Sequence, residues 1–391
     1  MDLQLLTPLC MIVLLFAFGT FLQRFSIPPI WTQTLVVIGF LISPLSVISF
    51  EFPVWALESL LFIVLFYVGV QTPASEFGKE ALRALPASIG ATAVAIVAAF
   101  GVSFWLGYSN FESAVISLIV GAIASASLLN IMEKMNLVKT EVAKAAVGIA
   151  IVNNLLLLLA VSALSTSSGV ISLAIKAGYS FGWLILVIGV ARYIYPRVVK
   201  ALNISSTEAT LSALLVQALF FATVAHLLGL SFMLGAFVSA LFVKEEYLHG
   251  DVHIQIRKSF HALTYLVAVP LLLLSSTQFL AIDMSNMLNS AILAVSVAVA
   301  QYIVTYFVLW FKHYGRAQSA MLAFTTLVRS EMAFVLLIFS AHLSLITPAI
   351  FTMLLLSLLI LTIVTPFILR MGLAKLQSEE PYRSLLSKGS K

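Results

Sequence analysis

Long apolar runs follow one another along the chain and are separated by short polar segments. A helix needs about 20 apolar residues to cross the hydrocarbon core of a bilayer, so each long run predicts a membrane-spanning helix. The pattern therefore predicts an all-α polytopic membrane protein with about 13 transmembrane helices. The predicted spans cover residues 3–22, 28–43, 54–71, 83–107, 112–132, 142–164, 170–195, 205–228, 230–243, 259–280, 287–311, 318–342 and 348–370.

Basic residues are concentrated in every second loop. Loops after odd-numbered spans carry residues such as Arg24, Lys134 and Arg257, whereas loops after even-numbered spans carry almost none. By the positive-inside rule, we expect the N-terminus outside and the C-terminus in the cytoplasm. The protein is expected in the cell membrane, and its short loops are typical of the bacterial inner membrane. The net charge of +5 is then loop charge, and no nucleic acid is expected as a partner.

Composition excludes the ordinary soluble enzymes. Of the 391 residues, 61% are hydrophobic and 9% are charged, and the mean hydropathy is +1.10. Soluble domains carry roughly 25% charged residues. The single cysteine excludes a disulfide framework, and no phosphate-binding loop, metal-spaced cluster or nucleophile elbow occurs. We expect no enzyme activity, no cofactor, no soluble regulatory domain and no metal beyond a transported cation.

Polar residues inside apolar spans are costly and are therefore candidate functional residues. Asn153 and Asn154 lie near the middle of the sixth span. Their amide oxygens suit a monovalent cation or a sugar-like solute, but amides do not titrate. Hydrogen bonding between helices is an equally good interpretation of the pair.

Two charged residues, Arg329 and Glu331, lie inside the twelfth span beside Thr326. Residues two apart on a helix do not face each other, so each is expected to pair with another helix. Glu58 in the third span is one possible partner for Arg329. Structural bracing is the alternative role for Arg329.

Three other spans contain small or polar residues at membrane depth. The fifth span has a run from Gly121 to Asn130 that contains Ser125 and Ser127, and such residues allow close helix packing or an unwound ion site. His226 follows in the eighth span and titrates near neutral pH, although a hydrogen-bonded interior histidine is the commoner case. Gln301 is a neutral polar group in the eleventh span.

Four stretches, in this order and spacing, carry a resemblance to a known family: Arg24–Pro44, Leu57–Gln71, Ala225–Phe237 and Arg329–Leu337. The last is similar to the family motif Arg-Gly-Glu-Phe-Ala-Phe. The sequence resembles the monovalent cation:proton antiporters of the sodium/proton exchanger superfamily, especially the Kef-type, or antiporter-2, branch.

The resemblance implies two inverted repeats whose broken helices, the fifth and twelfth spans, cross at the bilayer midplane. It implies a homodimer in which a core part, roughly 81–164 and 287–371, moves like an elevator against a scaffold part, roughly 1–75 and 204–285. The implied site lies beside the sixth span. Its candidate ion ligands are Asn153, Asn154, Ser125, Ser127, Thr326 and Gln301.

The chain departs from the family pattern at its charged positions. The family usually has Asp-Asp or Asn-Asp where this chain has Asn153 and Asn154. Gln301 falls roughly where many electrogenic members have a lysine, and His226 replaces a common glutamate. This chain thus lacks both the family's carboxylate and the lysine that pairs with it. Because both are absent, neither charge is buried without its partner.

Three functions stay open on this sequence. The first is secondary active exchange of sodium or potassium for protons, with Glu331, His226 or Glu58 as proton carrier. The second is an uncoupled uniporter, a channel-like pathway or a carrier of a neutral solute. The third is a transport-inactive relative that serves as a membrane partner or sensor. We expect the first, because the resemblance covers nearly the whole chain.

Overall fold

In a computed structural model of the chain, the structure describes residues 53–71, 74–123, 141–166, 207–241, 283–311, 316–329 and 331–378, with isolated positions between 17 and 280. Every regular element in these segments is helical. The helices are α1 (Val54–Gln71), α2 (Ala74–Trp105), α3 (Asn110–Val120), α4 (Glu141–Thr166), α5 (Thr207–Leu227), α6 (Phe232–Leu241), α7 (Met284–Phe311), α8 (Arg316–Thr325), α9 (Glu331–His342) and α10 (Pro348–Ser378).

The helices confirm the prediction of an all-α polytopic membrane protein. By length and composition, three segments of the described helices are long and apolar enough to cross a membrane: Lys144–Val161, Met284–Phe311 and Pro348–Thr365. Shorter apolar segments lie in α1, α2, α3, α5 and α9. Apart from residue 17, the two predicted spans before residue 53 lie outside the described residues.

Two helices are longer than the apolar pattern predicts. Helix α2 begins at Ala74, although the predicted span begins at residue 83, and α10 continues to Ser378, beyond the predicted end at residue 370. The added segments are polar but rich in Ala, Glu, Lys and Leu, which have high helix propensity. Hydropathy identifies the apolar part of a helix. The helix itself can continue into polar residues as long as they have high helix propensity.

The chain packs as two compact units. The first comprises the described parts of Met1–Gly19, Gln33–Glu76 and Leu158–Gln278, and the second those of Thr20–Thr32, Phe77–Leu157 and Phe279–Lys391. In the first unit, α6 packs against both α1 and α5. Gly235 on α6 lies directly against the backbone of Ala222 on α5, where a Cβ atom would overlap the Ala222 backbone. The α5–α6 packing therefore depends on a residue without a side chain.

We expect Gly235→Ala to destabilise the first unit, because α5 and α6 must separate to admit the methyl group. Overpacking of this kind costs about 1–3 kcal/mol. The measurement is thermal unfolding of the purified protein in detergent. Gly101→Ala on α2 is the matched control, because no atom lies within 4 Å of its added Cβ. Equal unfolding midpoints for the two variants would contradict the packing account.

In the described part of the second unit, helical structure is interrupted inside two predicted spans, the fifth and the twelfth. Helix α3 begins with a capping box, in which the Ser109 hydroxyl accepts from the Glu112 amide and the Glu112 carboxylate accepts from the Ser109 amide. It ends at Val120 and is followed by non-helical backbone at residues 121–123. The predicted twelfth span is divided into α8 and α9. Helix α9 packs against α3 and α10, and α7 packs against α8 and α10.

Candidate functional site

The first interruption, after α3, is held by one buried amide. Asn153 on α4 is fully buried, and its Oδ1 accepts a hydrogen bond from the Ile123 backbone N–H at 2.9 Å. Its Nδ2 donates to the Gly121 carbonyl at 3.1 Å and to Thr92 Oγ1 on α2 at 2.6 Å. Asn153 therefore joins α4 and α2 to both sides of the buried, non-helical backbone where α3 ends.

An amide suits this position because it both donates and accepts. Backbone groups that leave a helix at membrane depth must find partners inside the protein. The Gly121 carbonyl needs a donor and the Ile123 amide needs an acceptor, and Asn153 supplies both. A carboxylate would offer no donor to Gly121 or Thr92. Both amide hydrogens of Asn153 are used in this way, so its first role is to hold the backbone. Its predicted role as an ion ligand stays a prediction.

We expect both Asn153→Leu and Asn153→Asp to lower thermal stability, because each leaves the Gly121 carbonyl without its donor. A buried polar group without its hydrogen bond costs about 1–3 kcal/mol. The control is Ser103→Ala on α2, where a buried hydroxyl bonds only within its own helix, to the Ala99 and Phe100 carbonyls. If the Asn153 variants unfold at the same temperature as the Ser103 variant, Asn153 does not hold the interruption.

The second interruption, between α8 and α9, is held by Arg329. The side chain is fully buried, and its Nη1 donates to the Thr326 carbonyl at 2.7 Å. Its Nη2 donates to Gln301 Oε1 on α7 at 2.6 Å. Two threonines of α10 contact the interrupted backbone: Thr362 Oγ1 lies 3.0 Å from the Arg329 carbonyl oxygen, and Thr365 Oγ1 lies 3.4 Å from that of Leu327. Each hydroxyl also lies within donating distance of a carbonyl of its own helix, at 2.7 and 2.5 Å.

The described partners of the Arg329 guanidinium are neutral. Glu58, the carboxylate considered as its partner, is exposed on α1 and belongs to the first unit. Among the residues whose burial is described, Arg329 is the one buried side chain that carries a charge. The structural bracing predicted for Arg329 matches these contacts, with an amide and a carbonyl as its acceptors.

The remaining candidate residues divide by location. Asn154 is fully buried next to Asn153, and Thr326 is buried with its hydroxyl donating to the Ala323 carbonyl at 2.7 Å. His226 is exposed in the last turn of α5 and not in an interior position. Glu331 is the first residue of α9, but its side chain lies outside the described part of the structure, as do Ser125 and Ser127.

Sequence reasoning missed the threonines that complete both clusters, Thr92, Thr362 and Thr365. Each lies in an apolar helix, where an isolated hydroxyl is common and usually bonds to its own backbone. No signal along the sequence separates such a threonine from one that reaches another segment. In the described residues, no three His, Cys, Asp or Glu side chains come together as a metal site.

Comparison with known proteins gives a family match and a set of similar solved structures. The model for the transmembrane part of sodium/hydrogen exchangers matches residues 10–375. None of the curated proteins gives a significant match. Among the 44 similar chains of solved structure is the sodium proton antiporter MjNhaP1 from Methanocaldococcus jannaschii. It is 15% identical, with a TM-score of 0.74, over 96% of this chain and 100% of that one. At that identity the likeness concerns the fold.

Proposed function

The chain belongs to the sodium/hydrogen exchanger family, and from that premise we propose that it exchanges sodium or potassium for protons through a site without the usual carboxylate on α4. The family is one of secondary active transporters and not of enzymes, and its members are multi-pass membrane proteins. The observation that carries the proposal is the family match over residues 10–375. The two braced interruptions of the second unit support it, because such interruptions can form ion sites.

Exchange requires one group that binds a proton or a cation in turn. Amides do not titrate, so Asn153 and Asn154 cannot fill this role. Of the three candidate carriers, His226 and Glu58 are exposed on helices of the first unit. Glu331 is the first residue of α9, directly after the second interruption. We therefore assign proton carriage to Glu331.

In this scheme Asn154 is our proposed amide ligand for the cation. The Asn153 Oδ1 already accepts a hydrogen bond from the Ile123 N–H at the first interruption. Asn154 is the next residue along α4 and is fully buried. Ser125, Ser127 and Thr326 remain candidate ligands in this proposal. In this scheme Gln301 acts through Arg329, to which its Oε1 is bonded.

We expect Glu331→Gln to abolish cation-driven proton efflux, because the amide neither binds nor releases a proton. The measurement uses proteoliposomes that have an acidic lumen and contain a pH-sensitive dye, to which sodium or potassium is added. Glu58→Gln is the matched control and should keep the response, since Glu58 is exposed on α1. Thermal unfolding of both variants shows whether they are folded. A folded Glu331→Gln variant with full proton efflux would contradict the assignment.

A second candidate function is uncoupled transport by the same scaffold. It is favoured by the charge balance of the described interior, which contains Arg329 and no carboxylate. Under this alternative the wild type moves no protons, and Asn154→Asp introduces the titratable group that the family usually has at this position. Proton efflux in Asn154→Asp but not in the wild type would support uncoupled transport and contradict exchange. Efflux in the wild type would support exchange.

The elevator movement, the homodimer and the membrane orientation belong to the same proposal. In the first unit, α5 exposes a row of large apolar side chains, including Val216, Phe220 and Leu227. Such a face suits lipid or a second copy of the chain. We propose that the predicted scaffold, residues 1–75 and 204–285, forms the dimer, and that the core, residues 81–164 and 287–371, moves against it. The alternating basic loops support a cytoplasmic C-terminus, and the Kef-type branch remains our expectation from motif similarity.

A further inference from the structure

Three buried polar atoms, on the two residues of the Arg329–Gln301 hydrogen bond and on a third residue one helical turn from Gln301, have no hydrogen-bond partner among the described residues. They are Arg329 Nε, Gln301 Nε2 and Thr305 Oγ1, and all three side chains are fully buried. Gln301 and Thr305 are one turn apart on α7, so they share a face of that helix. Gln301 Oε1 accepts from Arg329 Nη2 at 2.6 Å, which keeps the neighbouring Nε2 and Nε atoms close to that bond.

The chemistry of these three atoms favours a ligand that accepts hydrogen bonds. The Nε–H of Arg329 and the Nε2–H groups of Gln301 only donate, and the Thr305 hydroxyl can also donate. The orientation of the Gln301 amide is fixed, because its oxygen must face the Arg329 donor. Three donors beside a buried positive charge repel a cation and favour an anion.

Charge balance distinguishes an anion from a water molecule. Burial of a guanidinium is expensive unless a counter-charge compensates it. The described partners of Arg329 are a carbonyl and an amide oxygen, which accept hydrogen bonds but carry no net charge. Water would fill the hydrogen bonds and leave the charge uncompensated. One monovalent anion would satisfy both requirements.

We propose that Arg329, Gln301 and Thr305 form a binding site for one small monovalent anion of the halide class, with chloride as the physiological form. The site lies beside the second interruption and neutralises Arg329 there. It does not depend on the proposed exchange activity, because it is inferred from donors and charge alone. If the exchange proposal also holds, the bound anion reduces the repulsion between Arg329 and an incoming cation.

The test is equilibrium dialysis of radiolabelled chloride against the purified full chain in detergent, with gluconate as the replacement anion. We expect one saturable site per chain, from which bromide displaces chloride. Thr305→Val should weaken chloride binding about fivefold, the equivalent of one hydrogen bond. Gln301→Glu should abolish it, because the new carboxylate keeps the Arg329 contact, removes a donor and supplies the missing charge. Ser103→Ala should bind as the wild type does.

Three results would overturn the proposal. The first is the absence of saturable chloride binding by the wild type, whatever the variants do. The second is binding that is unchanged in folded Thr305→Val and Gln301→Glu proteins, with folding checked by thermal unfolding. The third is binding by Glu331→Gln but not by the wild type, which would show that the Glu331 carboxylate occupies the place assigned to the anion. Because dialysis needs no transport, failure of the exchange proposal would not affect the outcome.

Discussion

The structure depends on one constraint, namely that backbone groups released where a helix stops inside an apolar protein must be bonded by other parts of that protein. Two segments of the second unit are under this constraint. After α3, the Asn153 amide bonds the Gly121 carbonyl and the Ile123 N–H. Between α8 and α9, Arg329 bonds the Thr326 carbonyl, and Thr362 bonds the carbonyl of Arg329. These bonds position α4, α7 and α10 around the interruptions. The need for them explains why these helices carry polar side chains there.

The same constraint explains why polar residues at membrane depth need not be ligands. Asn153 and Arg329 are the two residues that the sequence marks most strongly, and both are largely occupied by structural bonds. Their hydrogen bonds show that the fold uses both side chains to hold non-helical backbone. Under the proposed exchange, Asn154 supplies the amide ligand and Glu331 carries the proton. A polar residue of this chain is therefore considered for transport only after its structural hydrogen bonds have been taken into account.

Much of the architecture could be predicted from the apolar pattern, because spanning helices are long and hydropathy measures their length. The interruption at residues 326–329 was expected only from the family resemblance, which implied a broken helix in the twelfth span. The helix ends at Ala74 and Ser378 were not, because propensity extends a helix beyond its apolar part. The partners of Asn153 lie 30 to 61 residues away in sequence, and Gln301 and Arg329 are 28 residues apart, so these contacts arise only from tertiary packing. The exposed position of His226 likewise depends on packing that no local pattern records.

The central claim is that protons drive cations through a site whose α4 residues do not titrate. Its most direct measurement is uptake of radioactive sodium, or of rubidium as a tracer for potassium, into proteoliposomes with an acidic lumen and no membrane potential. Coupled exchange predicts that the tracer accumulates inside above its external concentration and that a proton ionophore abolishes this excess. Uptake that stops at equal concentrations, or that is absent for both cations, would contradict the claim.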